Sequence, residues 1–514
     1  MRKNRKKGIK ISLHPILTYG ILIIIVILVS ALLALLNMSG THTVFSEASN
    51  TFEKVTEAVT SVLNLRGVKF IYTNIVSGFA NSAVLSNLII ILFSIGIMEK
   101  SGFLETFVTV VTKRMKKTTV TFWIVLVCLL LSISGDISYL VMIPLAGLIY
   151  YHGKRNPAIG IIAAYGSLCC GTGISLIFTS VDSALSKQTL LMANQLDPNY
   201  TIGALNLIVV NAIAIIAAAF MITKLVENKI AKELPKYEFE DSSIEQEVMT
   251  KKKLRGLIYA GTVCFIYILT FIYNIIPGLP FSGNLLDYSQ HMYIDKLFSY
   301  DSFFTKGFVF VIAMLFVLAG LFYGIGARTI KNTNDFADGL GHSLNGIGKI
   351  IVMIFMSTSL ITIFKYSNIG NTVVAVLTNL LSKSGFTGLV LVLCLYGISI
   401  ITTLLVPSAI SNWSIMNNIV TTTMNAGISP IFTQFVFRIG QCVTICLTPL
   451  FSYFVIYLAY LEHYNQGDKQ IRIFTALKYM VYFSLIMLVI GITLILIFYL
   501  TNLPLGVGGY VSAS

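Results

Sequence analysis

Apolar positions in this chain fall in long unbroken runs, not in the alternating or one-in-three patterns of a water-soluble fold. Long runs lie at 15–36, 158–178, 202–222, 256–276, 308–324, 389–405, 432–460 and 479–500, and shorter ones at 85–98, 120–133 and 350–363. About 20 apolar residues carry a helix across the ~30 Å hydrocarbon layer, and a helix apolar on every side has no face meant for water. The pattern predicts an all-α polytopic membrane protein. Several runs are too short to cross simply, and these carry the most information.

Composition agrees. Of 514 residues, 56% are hydrophobic and 11% charged, with a mean hydropathy of +0.82; soluble domains carry about 25% charged residues. The first run ends in Leu36-Asn37-Met38-Ser39-Gly40, which lacks a small-x-small cleavage pattern, so it reads as a retained first span. The seven cysteines, nearly all inside apolar runs, match no zinc spacing and read as small core residues.

The net charge of +14 does not point to nucleic acid, because Lys and Arg cluster between the spans. Arg2, Lys3, Arg5, Lys6, Lys7 and Lys10 precede the first span and place the N-terminus in the cytoplasm. Lys113-Arg114-Met115-Lys116-Lys117, Lys154-Arg155, the stretch 224–255, Arg328 with Lys331 and Lys349, and Lys469 with Arg472 and Lys478 mark the same side. The connections 37–84, 183–201, 277–307 and 425–431 are poor in both residues. The chain is expected as a multi-pass protein of a bacterial cytoplasmic membrane, with the lipid bilayer and a small-molecule solute as its partners.

The segment 118–151 has basic clusters at both ends and Ser132-Ile133-Ser134-Gly135-Asp136 at its middle. Both ends on one side of the membrane make it a re-entrant hairpin. The segment 385–425 has a similar layout, breaks at Pro407-Ser408-Ala409-Ile410-Ser411-Asn412-Trp413, and has almost no flanking positive charge, so it should enter from the other face. A broken helix follows each hairpin. The first, 157–182, is interrupted at Gly171-Thr172-Gly173-Ile174-Ser175; the second, 430–460, around Arg438-Ile439-Gly440-Gln441 and Thr448-Pro449. The halves 1–223 and 256–514, divided by the charged connection 224–255, form an inverted repeat. Such repeats mark secondary transporters, because irregular backbone at membrane depth survives only where it lines a cavity. The alternative is two long ordinary spans with incidental Gly and Ser.

Few ionisable residues lie inside the apolar runs, and those few are functional candidates. Asp136 sits at the first hairpin's centre and Asp182 just past the first broken helix. Burial makes a carboxylate easier to protonate, so both are candidates for proton carriage; the plainer readings are a helix cap or a structural ion pair. Arg438 offers a permanently charged planar fork for a carboxylate or sulfonyl group, or a partner for Asp182. Trp413, at the second hairpin tip, suits stacking on an aromatic ligand. Lys349 and Lys365 lie near run ends, can snorkel, and are assigned no role.

No Gly-x-x-x-x-Gly-Lys-Ser/Thr phosphate loop is present, which disfavours an ATP-driven pump, and no His-Glu-x-x-His helix supports a metalloprotease. An intramembrane aspartyl protease is the competing class, but Ile133-Ser134-Gly135-Asp136 lacks the first glycine of the usual Gly-x-Gly-Asp. No cofactor is expected, and the protein is not read as an enzyme.

Ile97-Met98-Glu99-Lys100-Ser101-Gly102, Asp136 through Ile143-Pro144-Leu145, Ser367-Asn368-Ile369-Gly370, Phe437-Arg438-Ile439-Gly440 and Thr448-Pro449-Leu450-Phe451-Ser452-Tyr453-Phe454 resemble the AbgT family of p-aminobenzoyl-glutamate transporters. So do His14-Pro15 and the terminal Leu503-Pro504-Leu505-Gly506, and the order and spacing hold along essentially the whole chain. The resemblance implies about nine transmembrane helices with two re-entrant hairpins, a homodimer, and ion-driven uptake of p-aminobenzoyl-glutamate or efflux of sulfonamide antimetabolites. It carries functional roles onto Asp182, Trp413, Pro430, Arg438 and Pro449.

Four positions depart from the family pattern. Gln441 stands where an aspartate is common, Ile410 where a serine is, and Ser411-Asn412-Trp413 replaces Ala-Gln-Trp. A glutamine cannot carry a proton, so H⁺ coupling must lean on Asp136 and Asp182. Alternatively, Ser134, Ser175, Ser411 and Asn412 with nearby carbonyls could coordinate Na⁺. The expected solute site is Arg438, Trp413, Asn412, Ser411, Pro430 and Pro449; the expected ion-coupling set is Asp182, Asp136, Ser175 and Gln441.

Overall fold

The computed structural model describes residues 14–46, 51–113, 115–239, 249–290, 293–298, 302–467 and 471–512. The basic N-terminal residues 2–10, Arg114 and Lys469 lie outside them. The first half runs α1 (Pro15–Leu35), a β-hairpin of β1 (Ser39–Ser46) and β2 (Thr51–Ala58), α2 (Leu65–Ala80), α3 (Ala83–Lys100), α4 (Phe103–Thr112), α5 (Lys117–Leu131), α6 (Asp136–His152), α7 (Pro157–Gly171), α8 (Ser180–Ala193) and α9 (Ile208–Leu225). The second begins with α10 (Lys251–Ile275), α11 (Phe308–Ala327), α12 (Thr333–His342), α13 (Gly348–Ser367) and α14 (Ile369–Lys383). It ends with α15 (Gly388–Leu405), α16 (Ala409–Met416), α17 (Ile419–Asn425), α18 (Pro430–Thr444), α19 (Phe454–His463) and α20 (Ile473–Thr501).

The chain is 72% helical, an all-α polytopic membrane protein. Among the described residues, ten helices are long and apolar enough to cross a membrane. The count exceeds the expected nine partly because it includes Lys117–Ser134 and Gly388–Leu405, each the first arm of a segment that breaks at its middle. The spans differ sharply in burial. Only 11% of the apolar windows of α1 and α10 is covered by protein, against 94% for Pro430–Leu447. Lipid is therefore the solvent of the first two, while α18 is the core of the molecule. Stacked rings join α6 and α7 to the start of α19, with Tyr165 on Tyr457 at 4.4 Å and Tyr139 on Tyr453 at 5.1 Å. At the periphery, α10 and α11 meet through small residues: a Cβ on Gly326 would sit 2.7 Å from the Cα of Gly256.

The breaks fall at four places. A short 3-10 turn and Gly135 separate α5 from α6; residues 172–179 separate α7 from α8; residues 406–408 separate α15 from α16; residues 448–453 separate α18 from α19. The last corrects an expectation, since Arg438-Ile439-Gly440-Gln441 lies within continuous helix. Gly440 gives close approach there, not a break, as its Cβ would stand 2.7 Å from Ser399 Cβ. The chain leaves helix at Thr448, whose extended backbone (ψ 123°) is what a following proline imposes.

One element was not foreseen. Residues 39–58 form an antiparallel hairpin, with Ser39 opposite Ala58 and Ser46 opposite Thr51. The β-branched and aromatic residues of Thr41-His42-Thr43-Val44-Phe45 suit a strand. The hairpin lies on α14, where Asn379 Nδ2 donates to Thr41 O at 2.6 Å.

A buried polar cluster ties α5, α6 and the end of α9. Arg155 Nη2 meets Glu227 Oε1 at 2.7 Å and its Nη1 donates to Thr121 Oγ1 at 2.9 Å. The guanidinium lies 4.5 Å over the Tyr150 ring, and Tyr150 OH is 2.6 Å from Thr121 Oγ1. Glu227 is presented by a π-helical turn, Val226–Ile230. Removing one charge strands the other. Glu227→Ala is expected to cost about 3 kcal/mol, and Arg155→Ala with Glu227→Ala less than the sum of the two. Thermal unfolding of the detergent-solubilised variants checks this; additive losses would mean the pair is not coupled.

Candidate functional site

All four helix breaks converge on one cavity of about 1070 Å³. Its floor and walls include Ser134 and Asp136 from the first break, Thr172 from the second, Pro407 and Ser411 from the third, and Tyr453 from the fourth; Arg438 and Gln441 of α18 also line it. Residues of α2, α3, α13 and α14 close the remaining sides.

Each break is held by side chains that satisfy the freed backbone. Ser132 Oγ donates to Gly171 O at 2.9 Å, joining the first break to the end of α7. Gly135 adopts φ 60°, ψ −130°, a conformation that disfavours any side chain, and delivers Asp136 to the first turn of α6. Asp136 is exposed to the cavity. In the second break, Asn211 Nδ2 donates to Ser175 O at 2.8 Å and Gly173 N–H meets Cys442 Sγ at 3.1 Å. A Cβ at Gly173 would sit 2.2 Å from Arg438 O, so glycine is needed for α18 to come this close. The end of α15 gives up carbonyls that α18 and its extension reclaim: Thr444 Oγ1 donates to Ile400 O and Thr448 Oγ1 to Leu404 O, both at 2.7 Å.

Asp182 and Arg438 meet across this frame. Asp182 Oδ1 lies 3.4 Å from Arg438 Nη2, with side chains 17% and 5% exposed. Its Oδ2 accepts from Ser175 Oγ at 3.0 Å and from Thr179 Oγ1 at 2.7 Å, and Thr179 and Asp182 form a reciprocal capping box at the start of α8. Both plainer readings of Asp182, cap and ion-pair partner, therefore describe its geometry. Arg438 also donates to Thr172 O and, at 2.8 Å, to Gln441 Oε1, while its buried Nε has no partner among the described residues.

Gln441 is used at both ends. Its Oε1 accepts from Arg438, and its Nε2 donates to Pro407 O at 2.9 Å. A carboxylate at this position could not donate to the proline carbonyl, so the departure from the family pattern has a structural use.

The other expected residues divide. Ser134 and Ser411 line the cavity; Ser175, Asn412, Trp413, Pro430 and Pro449 do not. Trp413 is fully buried behind the wall, with its ring 4.7 Å from Phe437 and its Nε1–H donating to Thr189 Oγ1 at 3.0 Å. It stacks on protein here, not toward the cavity. Asn412 Nδ2 donates to Thr402 Oγ1 and Val406 O, each at 3.2 Å, and its Oδ1 is buried without a partner. Pro430 is the first residue of α18, where its missing N–H costs nothing. Ser134 Oγ turns back to Leu131 O and Ser175 Oγ to Asp182, so no hydrogen bond among the described residues joins the two serines suggested for Na⁺. Sequence reasoning missed Gly173 and Thr172 as neighbours of Arg438, and Lys365 on the cavity wall.

Buried helix breaks around a charged cavity in a polytopic α-helical chain define a secondary transporter. A family model matches residues 6–513, and the chain belongs to the AbgT putative transporter family. It is 25% identical over 498 residues, 97% of this chain and 94% of the relative, to the p-aminobenzoyl-glutamate transport protein of Escherichia coli K12. Among solved structures it is similar to the YdaH transporter of Alcanivorax borkumensis, with 22% identity, TM-score 0.48, and coverage of 96% of this chain and 100% of that one. It is also similar to MtrF of Neisseria gonorrhoeae, described as illuminating a class of antimetabolite efflux pumps, with 25% identity, TM-score 0.48 and 96% coverage of both chains. The family and its relatives are transporters, which sets aside the aspartyl-protease reading.

If Gln441 bridges Arg438 and Pro407, Gln441→Leu strands a buried carbonyl and loosens the guanidinium. A loss of about 2 kcal/mol is expected, with Gln441→Glu, which keeps the acceptor alone, lying between. Thermal unfolding of both variants measures the order; equal stability of all three proteins would refute the bridge.

Proposed function

We propose that this protein is an ion-coupled carrier of amphipathic aromatic anions of the p-aminobenzoyl-glutamate type. The observation that carries the reading is the buried Arg438 at the meeting point of four helix breaks, on the wall of a cavity large enough for such a solute. The name of the Escherichia coli relative supports the same solute class. The Arg438 guanidinium on the cavity wall is the cation a solute acceptor would claim from Asp182, and Ser411 adds a hydroxyl at the rim of the third break. Trp413 and Asn412 then act from behind the wall, holding the hairpin that carries Ser411. A planar fork suits a sulfonyl group as well as a carboxylate, so efflux of sulfonamides is the second reading.

Coupling follows from competition. Asp182 and an incoming anion both claim the Arg438 guanidinium, and a proton on Asp182 would leave it free for the solute. Asp136, exposed to the cavity at the first break, is the second proton candidate; Na⁺ near the hydroxyls and carbonyls of the breaks is the alternative ion. In this reading 118–151 and 385–425 are re-entrant hairpins entering from opposite faces, in an inverted repeat whose basic connections face the cytoplasm. The carrier sits in a bacterial cytoplasmic membrane as a homodimer, with its N-terminus inside.

Flux into proteoliposomes tests the proposal, with H⁺ and Na⁺ gradients imposed separately. Arg438→Ala is expected to lower p-aminobenzoyl-glutamate flux by about a hundredfold, the scale of a buried charge-assisted contact of ~3 kcal/mol. An unchanged rate and KM in that variant would remove Arg438 from the site. Asp182→Asn is expected to leave residual flux that no longer responds to a pH gradient; flux still driven by that gradient would take the coupling proton away from Asp182.

A further inference from the structure

We infer that Lys365 is a specificity-determining residue, a cation on the cavity wall that engages the second negative charge of a dianionic solute. The inference rests on the carrier reading above and adds a residue to the same site. Four charged side chains line the cavity: Asp136, Lys306, Lys365 and Arg438. Arg438 is already paired with Asp182, and Lys306 has interactions of its own. Lys365 is exposed, and no carboxylate of the described residues lies within 4.0 Å of it.

The backbone around Lys365 is fixed from the opposite side. Tyr366 stacks on Phe70 with ring centres 4.1 Å apart, and Ser367 O accepts from Thr60 N at 2.9 Å. Asn368, in a left-handed conformation (φ 57°), turns the chain from α13 into α14 and donates through Nδ2 to Glu57 Oε2 at 2.6 Å. Three consecutive residues are thus held by α2, β2 and the connection between them, and the exposed Lys365 beside them lines the cavity. The same amide occupies Glu57, whose other oxygen faces His42 at 4.0 Å, so this acid is engaged away from Lys365. A snorkelling lysine needs only water; this one has a held backbone, no acidic partner among the described residues, and a cavity that already contains a guanidinium for a first anionic group.

Because Lys365 is exposed, the expected effect is moderate: about fivefold, the scale of a screened charge pair. The test measures KM for p-aminobenzoyl-glutamate, with two carboxylates, and the inhibition constant of p-aminobenzoyl-glutamine, its single-carboxylate isostere, in proteoliposomes of wild type, Lys365→Ala and Lys365→Arg. In Lys365→Ala the dianion should weaken about fivefold and the monoanion should not, with Lys365→Arg restoring the preference and added salt eroding it in wild type. Equal weakening of both solutes, or an unchanged preference in Lys365→Ala, would overturn the inference while leaving the carrier reading intact. Absence of any p-aminobenzoyl-glutamate flux in wild type would instead overturn the solute reading, and this inference with it.

Discussion

The structure depends on one constraint: a backbone N–H or C=O released from a helix inside an apolar medium must find another partner. Four breaks release such groups near one another, and the protein answers with side chains from neighbouring helices. Ser132 reaches Gly171 O, Asn211 reaches Ser175 O, and Thr444, Gln441 and Thr448 reach Ile400, Pro407 and Leu404. Three of these donors project from α18 and its extension, at spacings of three and four residues, so one helix face serves a whole broken neighbour. That is why Pro430–Leu447 is polar for a span and yet 94% buried.

The same face carries the charge. Arg438 precedes Gln441 by one turn, and both lie against the broken ends they stabilise. The guanidinium is held by Asp182, the Thr172 carbonyl and the Gln441 amide, three partners from three different places in the chain. Movement of the second break relative to α18 therefore changes the coordination of Arg438, and the third is tied to it through Gln441. Site and frame are one network, and a solute that alters one alters the other.

The sequence is legible where physics leaves a local mark. Gly171-Thr172-Gly173 and Pro407-Ser408 interrupt apolar runs with residues that either permit unusual backbone or cap a new helix, and the breaks occur there. The second broken helix misleads because Gly440 beside Arg438 looks like an interruption, while its role is to let Ser399 approach. Trp413 misleads for a related reason: its place just past the Pro407-Ser408 break is visible, but the direction of its ring depends on Thr189 and Phe437, both distant in sequence or hidden by helical phase. The β-hairpin at 39–58 escapes because a two-stranded ribbon leaves only short alternations, and its register is settled by packing on α14. Lys365 escapes because its neighbours are fixed by residues some 300 positions away.

Gln441 sharpens the question of coupling. An aspartate there would give the floor two carboxylates for one guanidinium. With glutamine, Arg438 and Asp182 cancel, and the amide spends its donor on Pro407. An anion that binds Arg438 then adds a full uncompensated charge to a buried site, a cost that rises steeply as the dielectric falls. In the coupling proposed above, one proton taken by Asp182 would remove that excess and release the arginine in the same step. A solute with a second carboxylate brings a second excess, which a single proton cannot cancel. On the wall, Lys365 is the cation proposed to meet it. On the proposed reading the two cations divide the work by depth: the buried one would link binding to the proton, and the exposed one would select which anions reach it.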